Sequence, residues 1–265
     1  MSNGVEIGGP AACVLEPPPT TKAVTWALSR RMALMIVLAL TFLVYADTTR
    51  YQFAYDDRGQ IVENPALRSW GYAPHCFTEH VWKAQHPEEN GIYYRPLFNL
   101  YLLVNYQVFH LNPAGWHLLL VLWHTLVTLL VYMLARRLLR DESAALIAAL
   151  VFGVHPVHIE AVAWISGVTE PMLATFLLGS LLGYLRWRDG RAAGVDAAGE
   201  AATSRQAKWL TLSLGLYALA LLSKETALVM PALVFAYEWL FGERAGRLAA
   251  AVKRAAPFFV MAAVY

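Results

Sequence analysis

Charged residues are scarce in this chain, and that scarcity excludes an ordinary soluble domain. Only 15% of the 265 residues are charged, against about 25% in typical soluble proteins. Hydrophobic residues make up 58%, and the mean hydropathy is +0.43. The apolar residues form long blocks rather than the stripes of half-buried helices. The composition therefore predicts an all-α, polytopic transmembrane helical bundle.

Cysteine, net charge and nucleotide-binding motifs are also in short supply. The two cysteines, Cys13 and Cys76, form no disulfide framework or zinc-type spacing. The net charge of +2 is too small to argue for nucleic acid as a partner. No Gly-x-Gly-x-x-Gly or phosphate-loop sequence marks a nucleotide pocket.

The chain divides into a tail and a membrane domain. Residues 1–31 are rich in Pro, Gly and small residues at their start, which predicts a disordered cytoplasmic tail. The apolar run at 32–46 is either a first span or the core of a signal peptide; we favour an uncleaved anchor, since the rest of the chain is also membrane-embedded. Residues 32–265 then form the transmembrane domain. Because the chain stops inside an apolar run, we expect it to be part of a longer protein.

The order of apolar and basic segments predicts the topology. Basic clusters at 22–31, 136–140, 186–208 and 244–254 are cytoplasmic by the positive-inside rule. A large first loop at 47–113, ending in an interfacial helix at 96–111, is then extracytoplasmic, as are residues 155–170 and 223–225. Cys13 and Cys76 would lie on opposite sides of the membrane. The predicted spans after the first are 114–134, 144–154, 172–184, 209–222 and 226–241. Pro231 is expected to kink the last of them.

Two adjacent carboxylates, Asp56 and Asp57, follow the first span. Their repulsion near a membrane surface should raise one pKa, which suits a general base for an acceptor hydroxyl. A solvated Asp-Asp-Arg-Gly turn explains the same residues, and the sequence leaves both interpretations open.

Arg95 and Lys224 are candidate ligands for a lipid phosphate. Arg95 precedes Pro96, which suits a first helical position, and would lie near headgroup level; a snorkelling arginine in contact with bulk lipid is the alternative. Lys224 separates two apolar segments, where an ionisable residue is costly and a functional candidate. A hairpin turn that pairs Lys224 with Glu225 is the alternative there.

The segment from His155 to Glu170 adds polar groups at the outer end of a span. His155, His158 and Glu160 could bind a phosphate or a sugar, or cap helix ends. No cofactor is predicted; a divalent metal at these three residues is an alternative that needs further ligands. Glu170 is a further substrate-binding candidate, although a position at a helix N-terminus also explains it.

These polar groups converge on one outer surface. A transferase outside the cytoplasm has no supply of soluble nucleotide sugars, so its donor should be lipid-linked. The donor phosphate requires cationic groups, and the acceptor hydroxyl requires a base. The expected partners are a lipid-phosphate sugar, an acceptor protein and membrane lipids.

Four ordered motifs resemble a known family. They are Tyr55-Asp-Asp-Arg-Gly-Gln-Ile-Val-Glu-Asn64-Pro65, Tyr94-Arg-Pro-Leu97, His155-Pro-Val-His-Ile-Glu-Ala-Val-Ala-Trp164-Ile-Ser-Gly167 and Ser223-Lys-Glu-Thr226. They are similar to the membrane region of the transmembrane and tetratricopeptide-repeat O-mannosyltransferases, which are GT-C glycosyltransferases using polyprenyl- or dolichyl-phosphate sugars.

The resemblance implies an inverting transfer of mannose, or a related sugar, to a protein Ser or Thr on the periplasmic, outer or lumenal side. It also implies that an acidic residue of the Asp56-Asp57 pair acts in the first loop. Family members often carry Gly-Arg before the acid of the third motif, whereas this chain has Gly167-Val-Thr-Glu170. A non-enzymatic carrier, flippase or scaffold for lipid-linked sugars is the competing class.

Overall fold

The computed structural model describes residues 29–86, 88, 93–192, 200–242 and 246–265. The described residues form helices and connecting turns, with no strand among them. The predicted disordered tail falls mostly on residues 1–28, which, with Cys13, lie outside the described residues. The α-helices are α1 (Arg30–Tyr45), α2 (Pro96–Phe109), α3 (Pro113–Leu139), α4 (Glu142–Val154), α5 (Ile159–Ala163), α6 (Thr169–Ala192), α7 (Glu200–Ser223), α8 (Met230–Phe241) and α9 (Arg247–Val264).

Short helical turns fill most of the connections. The first loop contains 3-10 turns at Ala46–Arg50, Pro65–Arg68, Trp70–Tyr72 and His75–Phe77, and a π-helical turn at Arg58–Val62. Further 3-10 turns lie at Pro156–His158, Ile165–Val168 and Glu225–Val229.

Three helical stretches are long and apolar enough to cross a membrane: Arg31–Arg50, Pro113–Leu139 and Ile165–Gly190. A fourth arises if Glu142–Val154 and Pro156–Ala163, bent by 44° at their break, count as one span. The prediction of an all-α transmembrane bundle is confirmed. The segments predicted as spans at 209–222 and 226–241 are not among these stretches, and α8, at 12 residues, is shorter than the roughly 20 residues that cross a bilayer.

Proline sets the beginning of several helices. Pro96 and Pro113 occupy the first turns of α2 and α3, where proline needs no hydrogen-bond partner for its nitrogen. The expectation that Pro231 kinks a longer span is wrong, because Pro231 instead lies in the first turn of α8. The helical run is interrupted earlier, at Lys224 and the 3-10 turn that follows it. Two charged side chains are thereby placed between α7 and α8.

The first loop is an ordered layer over the helices. Ile61, Leu67 and Cys76 from the loop are buried in one apolar cluster with residues of α2, α3 and α6. Burial of apolar area of this kind is the main term that orders a loop. The predicted interfacial helix is α2, and its buried face packs in the same cluster.

Small residues bring α6 and α7 together. The Ser180 hydroxyl donates to the Ser213 carbonyl at 2.8 Å, and the Ser213 hydroxyl donates to the Ser180 carbonyl at 2.8 Å. A Cβ on Gly183 would lie 3.4 Å from Ser213. Close backbone approach through Gly and Ser is the usual way for helices to associate in a bilayer. The pair holds the α7–α8 turn in place relative to the start of α6.

Candidate functional site

A cavity of about 760 Å³ lies where the first loop, the start of α2, the α4–α6 connection and the α7–α8 turn meet. Its volume is in the range of small-molecule sites. These four segments and α3, through His124 and Val127, supply its walls. The predicted site residues that line it are Asp56, Arg95, His158, Glu160, Glu170 and Lys224.

Asp57 lies behind this wall and joins two of its segments. Its carboxylate is fully buried. One oxygen accepts hydrogen bonds from the Ser166 backbone N–H at 2.8 Å and from the Ser166 hydroxyl at 2.6 Å, and the other accepts from the Ala54 N–H at 3.1 Å. The solvated-turn interpretation is therefore wrong for Asp57. This carboxylate ties the first loop to the α5–α6 connection.

Asp56 faces the cavity from the same loop. Burial, and secondly the charge of Asp57, raise the pKa of this carboxyl above its ordinary value, as the sequence predicted for one of the pair. The preceding residue, Tyr55, has a φ of 49°, a conformation that is costly for residues other than glycine. The two adjacent carboxylates have different surroundings, because that of Asp57 is buried and that of Asp56 lines the cavity.

The two cations of the cavity are paired with carboxylates from other segments. The Arg95 guanidinium donates two hydrogen bonds to Glu225, at 2.7 and 3.1 Å, and lies 4.8 Å from the centre of the Tyr93 ring. The Lys224 ammonium forms an ion pair with Glu170. The alternative interpretation, in which Lys224 pairs with Glu225, is wrong, since each side chain reaches a different segment. Glu170 is in the first turn of α6, as predicted.

The two histidines of the third motif have different surroundings. His155 lies outside the cavity lining: its Nδ1 accepts a hydrogen bond from the Val157 N–H at 3.1 Å, which caps a 3-10 turn. His158 lines the cavity and packs 4.4 Å from the Phe152 ring and 5.2 Å from the His124 ring. Pro156 begins the turn between them, and the His155 and His158 ring centres are 6.3 Å apart.

A metal site does not assemble from these side chains. Among the described residues, no group of three or more His, Cys, Asp or Glu side chains is arranged to hold a metal ion. Glu160 is exposed on the cavity wall. Among the described residues, Glu160 forms no ion pair with His155 or His158 that would complete a ligand set.

The family model described as dolichyl-phosphate-mannose-protein mannosyltransferase matches residues 91–259, more than half of the chain. The chain belongs to this family.

Several curated relatives of the same class are similar to the chain. Protein O-mannosyl-transferase TMTC1 of Homo sapiens is 30% identical over 78% of the chain and 23% of the relative. Protein O-mannosyl-transferase Tmtc1 of Drosophila melanogaster is 32% identical over 72% of the chain and 21% of the relative. No solved structure matches. The chain thus spans about a fifth of the length of these relatives, and the resemblance inferred from the four motifs is confirmed.

Three residues that line the cavity of this mannosyltransferase-family chain, Glu225, Ser166 and Gln60, were not predicted as site residues. Glu225 and Ser166 both lie inside quoted motifs, but their roles depend on contacts with Arg95 and Asp57 that are 130 and 109 residues away. Gln60 lies four residues after Asp56, which is a spacing that would have placed both on one helical face. The third motif lacks the basic residue that family members often carry before the acid. In this chain Lys224, from the α7–α8 turn, forms the ion pair with Glu170.

Proposed function

We propose that this chain carries the active site of a membrane glycosyltransferase that moves mannose, or a related sugar, from a polyprenyl- or dolichyl-phosphate donor to a protein Ser or Thr hydroxyl. The observation that carries the proposal is that Asp56, Arg95 and Lys224 line one cavity. A candidate base and two candidate phosphate ligands are what this transfer requires. Membership of the mannosyltransferase family supports the same reaction class.

Asp56 acts as the general base in this proposal. Its carboxylate accepts the proton of the acceptor hydroxyl as the hydroxyl oxygen forms a bond to the anomeric carbon. The bond from that carbon to the phosphate oxygen breaks, and its electron pair leaves with the lipid phosphate, so the sugar is inverted. A raised pKa makes Asp56 a stronger base than an ordinary aspartate.

Arg95 and Lys224 stabilise the charge that develops on the departing phosphate. Charge-assisted hydrogen bonds to phosphate are the strong ones, and a guanidinium can make two of them in parallel. In the free protein, Arg95 is paired with Glu225 and Lys224 with Glu170. Donor binding therefore replaces two carboxylates with one phosphate group as the partner of these cations. His158 and Glu160 line the same cavity and can donate or accept further hydrogen bonds to the donor.

Most of the cavity lining comes from the first loop, the ends of helices and the connections between them, and His124, Val127 and Ala174 of two long apolar stretches complete it. Together with the basic clusters elsewhere, this supports an active side that faces the periplasm, the outside or the lumen. A donor anchored in the membrane would then present its phosphate to Arg95 and Lys224, while an acceptor protein approaches from the aqueous side.

The test is sugar transfer by membranes that contain the protein encoded by the complete reading frame. Dolichyl phosphate mannose with a labelled sugar and a Ser/Thr-rich acceptor peptide are the substrates. We expect Asp56→Asn to lower the transfer rate by at least about a hundredfold, while the amount of protein inserted in the membrane stays unchanged. Asp47→Asn is the matched control, since Asp47 is an exposed carboxylate of the same loop.

Two outcomes would contradict the proposal. One is wild-type activity in Asp56→Asn. The other is sugar-lipid movement across the bilayer by wild-type protein without transfer to any peptide, which would favour the carrier or flippase class instead.

A further inference from the structure

Gln60 is a buried polar side chain without a hydrogen-bond partner for its amide oxygen. It is 4% exposed, and its Oε1 has no partner among the described residues. Such a group is costly in a folded protein unless a ligand satisfies it. Gln60 also lines the cavity that holds Asp56.

Gln60 lies in the π-helical turn at Arg58–Val62, four residues after Asp56. Both Asp56 and Gln60 line the cavity, while Asp57 is buried in the core. The unsatisfied oxygen of Gln60 therefore belongs to the same wall as the candidate base. An acceptor atom at this place suits a hydroxyl donor close to the reacting atoms.

A second unsatisfied group lies on the same cavity. The indole Nε1 of Trp164 is buried and has no partner among the described residues, and Trp164 lines the cavity together with Trp82. An indole N–H can only donate, whereas the Gln60 oxygen can only accept. One acceptor, one donor and aromatic rings are the combination that a pyranose needs, because its hydroxyls both donate and accept and its C–H face is apolar.

We infer that Gln60 and Trp164 form the subsite for the transferred sugar ring, with the Gln60 oxygen accepting a hydrogen bond from one sugar hydroxyl and the Trp164 N–H donating to another. This inference rests on the proposed function for the identity of the ligand. It assigns the sugar to the Asp56 side of the cavity and leaves Arg95 and Lys224 to the phosphate.

Donors that lack single hydroxyls test the assignment. Transfer from dolichyl phosphate mannose is compared with transfer from its monodeoxy analogues, in wild type, Gln60→Leu and Trp164→Phe. We expect one analogue to lower kcat/KM of the wild type by about tenfold, as for one hydrogen bond. Gln60→Leu should lower kcat/KM for the parent donor by a similar factor, and removal of that hydroxyl from the donor should then cause no further loss. Trp164→Phe should behave in the same way towards a different analogue.

Matched controls come from the first loop. Gln52→Leu and Trp70→Phe change an exposed Gln and an exposed Trp that do not line the cavity. Both controls should keep the wild-type response to every analogue. Full retention of analogue discrimination in Gln60→Leu and Trp164→Phe would overturn the inference while leaving the proposed transfer intact. An effect confined to KM for the acceptor peptide would also overturn it, since the subsite would then bind the acceptor.

A binding measurement separates failure of this inference from failure of the proposed function. Purified wild-type protein and Gln60→Leu are titrated with vesicles containing dolichyl phosphate mannose or dolichyl phosphate alone. We expect the mannose to tighten binding to wild-type protein by about tenfold, and Gln60→Leu to remove that increment without changing affinity for dolichyl phosphate. This result would support the sugar subsite even if no transfer were detected, whereas equal affinity of wild type for both lipids would refute it.

Discussion

The hydroxyl of Ser166 donates a hydrogen bond of 2.6 Å to the buried carboxylate of Asp57, across 109 residues of sequence. The contact joins the first loop to the turn before α6, and both segments line the cavity. Adjacent carboxylates thus have separate tasks: Asp57 holds the wall together, and Asp56 faces the cavity.

Asp57→Asn should destabilise the protein rather than remove the reacting group. An amide has one acceptor oxygen in place of two, so at least one of the donors from Ala54 and Ser166 is left unsatisfied, at a cost of about 2 kcal/mol. We expect a lower midpoint of thermal unfolding in detergent and reduced but measurable transfer. Asp56→Asn should show the reverse, with an unchanged midpoint and a transfer rate lowered by at least about a hundredfold. Identical effects of the two substitutions on both measurements would contradict this division.

The pH dependence of transfer should report the environment of Asp56. Because burial and the charge of Asp57 raise the pKa of this carboxyl, its basic form is lost on acidification at a higher pH than for an ordinary aspartate. The value of kcat/KM should be constant above that pKa and fall about tenfold per pH unit below it. Asp57→Asn removes one of the two causes, so the acid limb should move to lower pH. The exposed Asp47→Asn control should leave the profile in place.

Glu225 should compete with the donor phosphate for Arg95. The hydrogen bonds from Arg95 are the main cause that lowers the pKa of Glu225, so the pair is intact above the ordinary glutamate pKa and is lost as the pH falls through the lowered value. Glu225→Gln weakens the competitor without changing Arg95. We expect several-fold tighter binding of dolichyl phosphate in vesicles, with a slightly lower midpoint of unfolding. Weaker binding would show that Glu225 instead positions Arg95 for the phosphate.

Local sequence patterns were sufficient for much of the fold. Long apolar blocks predicted the membrane helices, and the span predicted at 114–134 begins within one residue of α3, because such signals act within a few residues. Clusters of polar motifs also predicted which segments surround the cavity. The prediction of a kink at Pro231 failed, since the same residue is equally suited to a helix beginning.

Pairings across the fold could not be predicted in the same way. Lys224 and Glu225 are adjacent, and local charge alone favours their pairing. Their observed partners, Glu170 and Arg95, are 54 and 130 residues away and are selected by the packing of α6, α7 and the first loop. Gln60 was overlooked for a similar reason, because only a structure shows which buried polar atom lacks a partner.

The orientation of the first loop needs a different reporter from the native cysteine. Cys76 is fully buried, and burial raises the pKa of its thiol to about 11, so it should react slowly with reagents on either side. Thr78→Cys and Ala207→Cys place thiols at exposed positions in the first loop and in α7. In a chain with Cys13 and Cys76 replaced by serine, we expect an impermeant maleimide to label position 78 in intact cells. Position 207 should be labelled only after permeabilisation, and the reverse pattern would refute the proposed orientation.

Gly153 should be indispensable to the packing of α1, α3 and α4. A Cβ at this position would overlap the Thr41 hydroxyl and lie 2.8 Å from the Thr128 methyl, and both threonines are buried. Gly153→Ala must therefore push α4 away from its neighbours, at a cost of about 1–3 kcal/mol. Gly215→Ala is the matched control, because a Cβ there meets nothing within 4 Å and alanine favours the helix by up to about 1 kcal/mol. We expect a lower unfolding midpoint in detergent for Gly153→Ala and an equal or higher one for Gly215→Ala. The His124 ring contacts the Gly153 carbonyl at 3.0 Å and also lines the cavity, so Gly153→Ala should reduce transfer as well. Equal unfolding midpoints for the two variants would show that the close approach at Gly153 is not required.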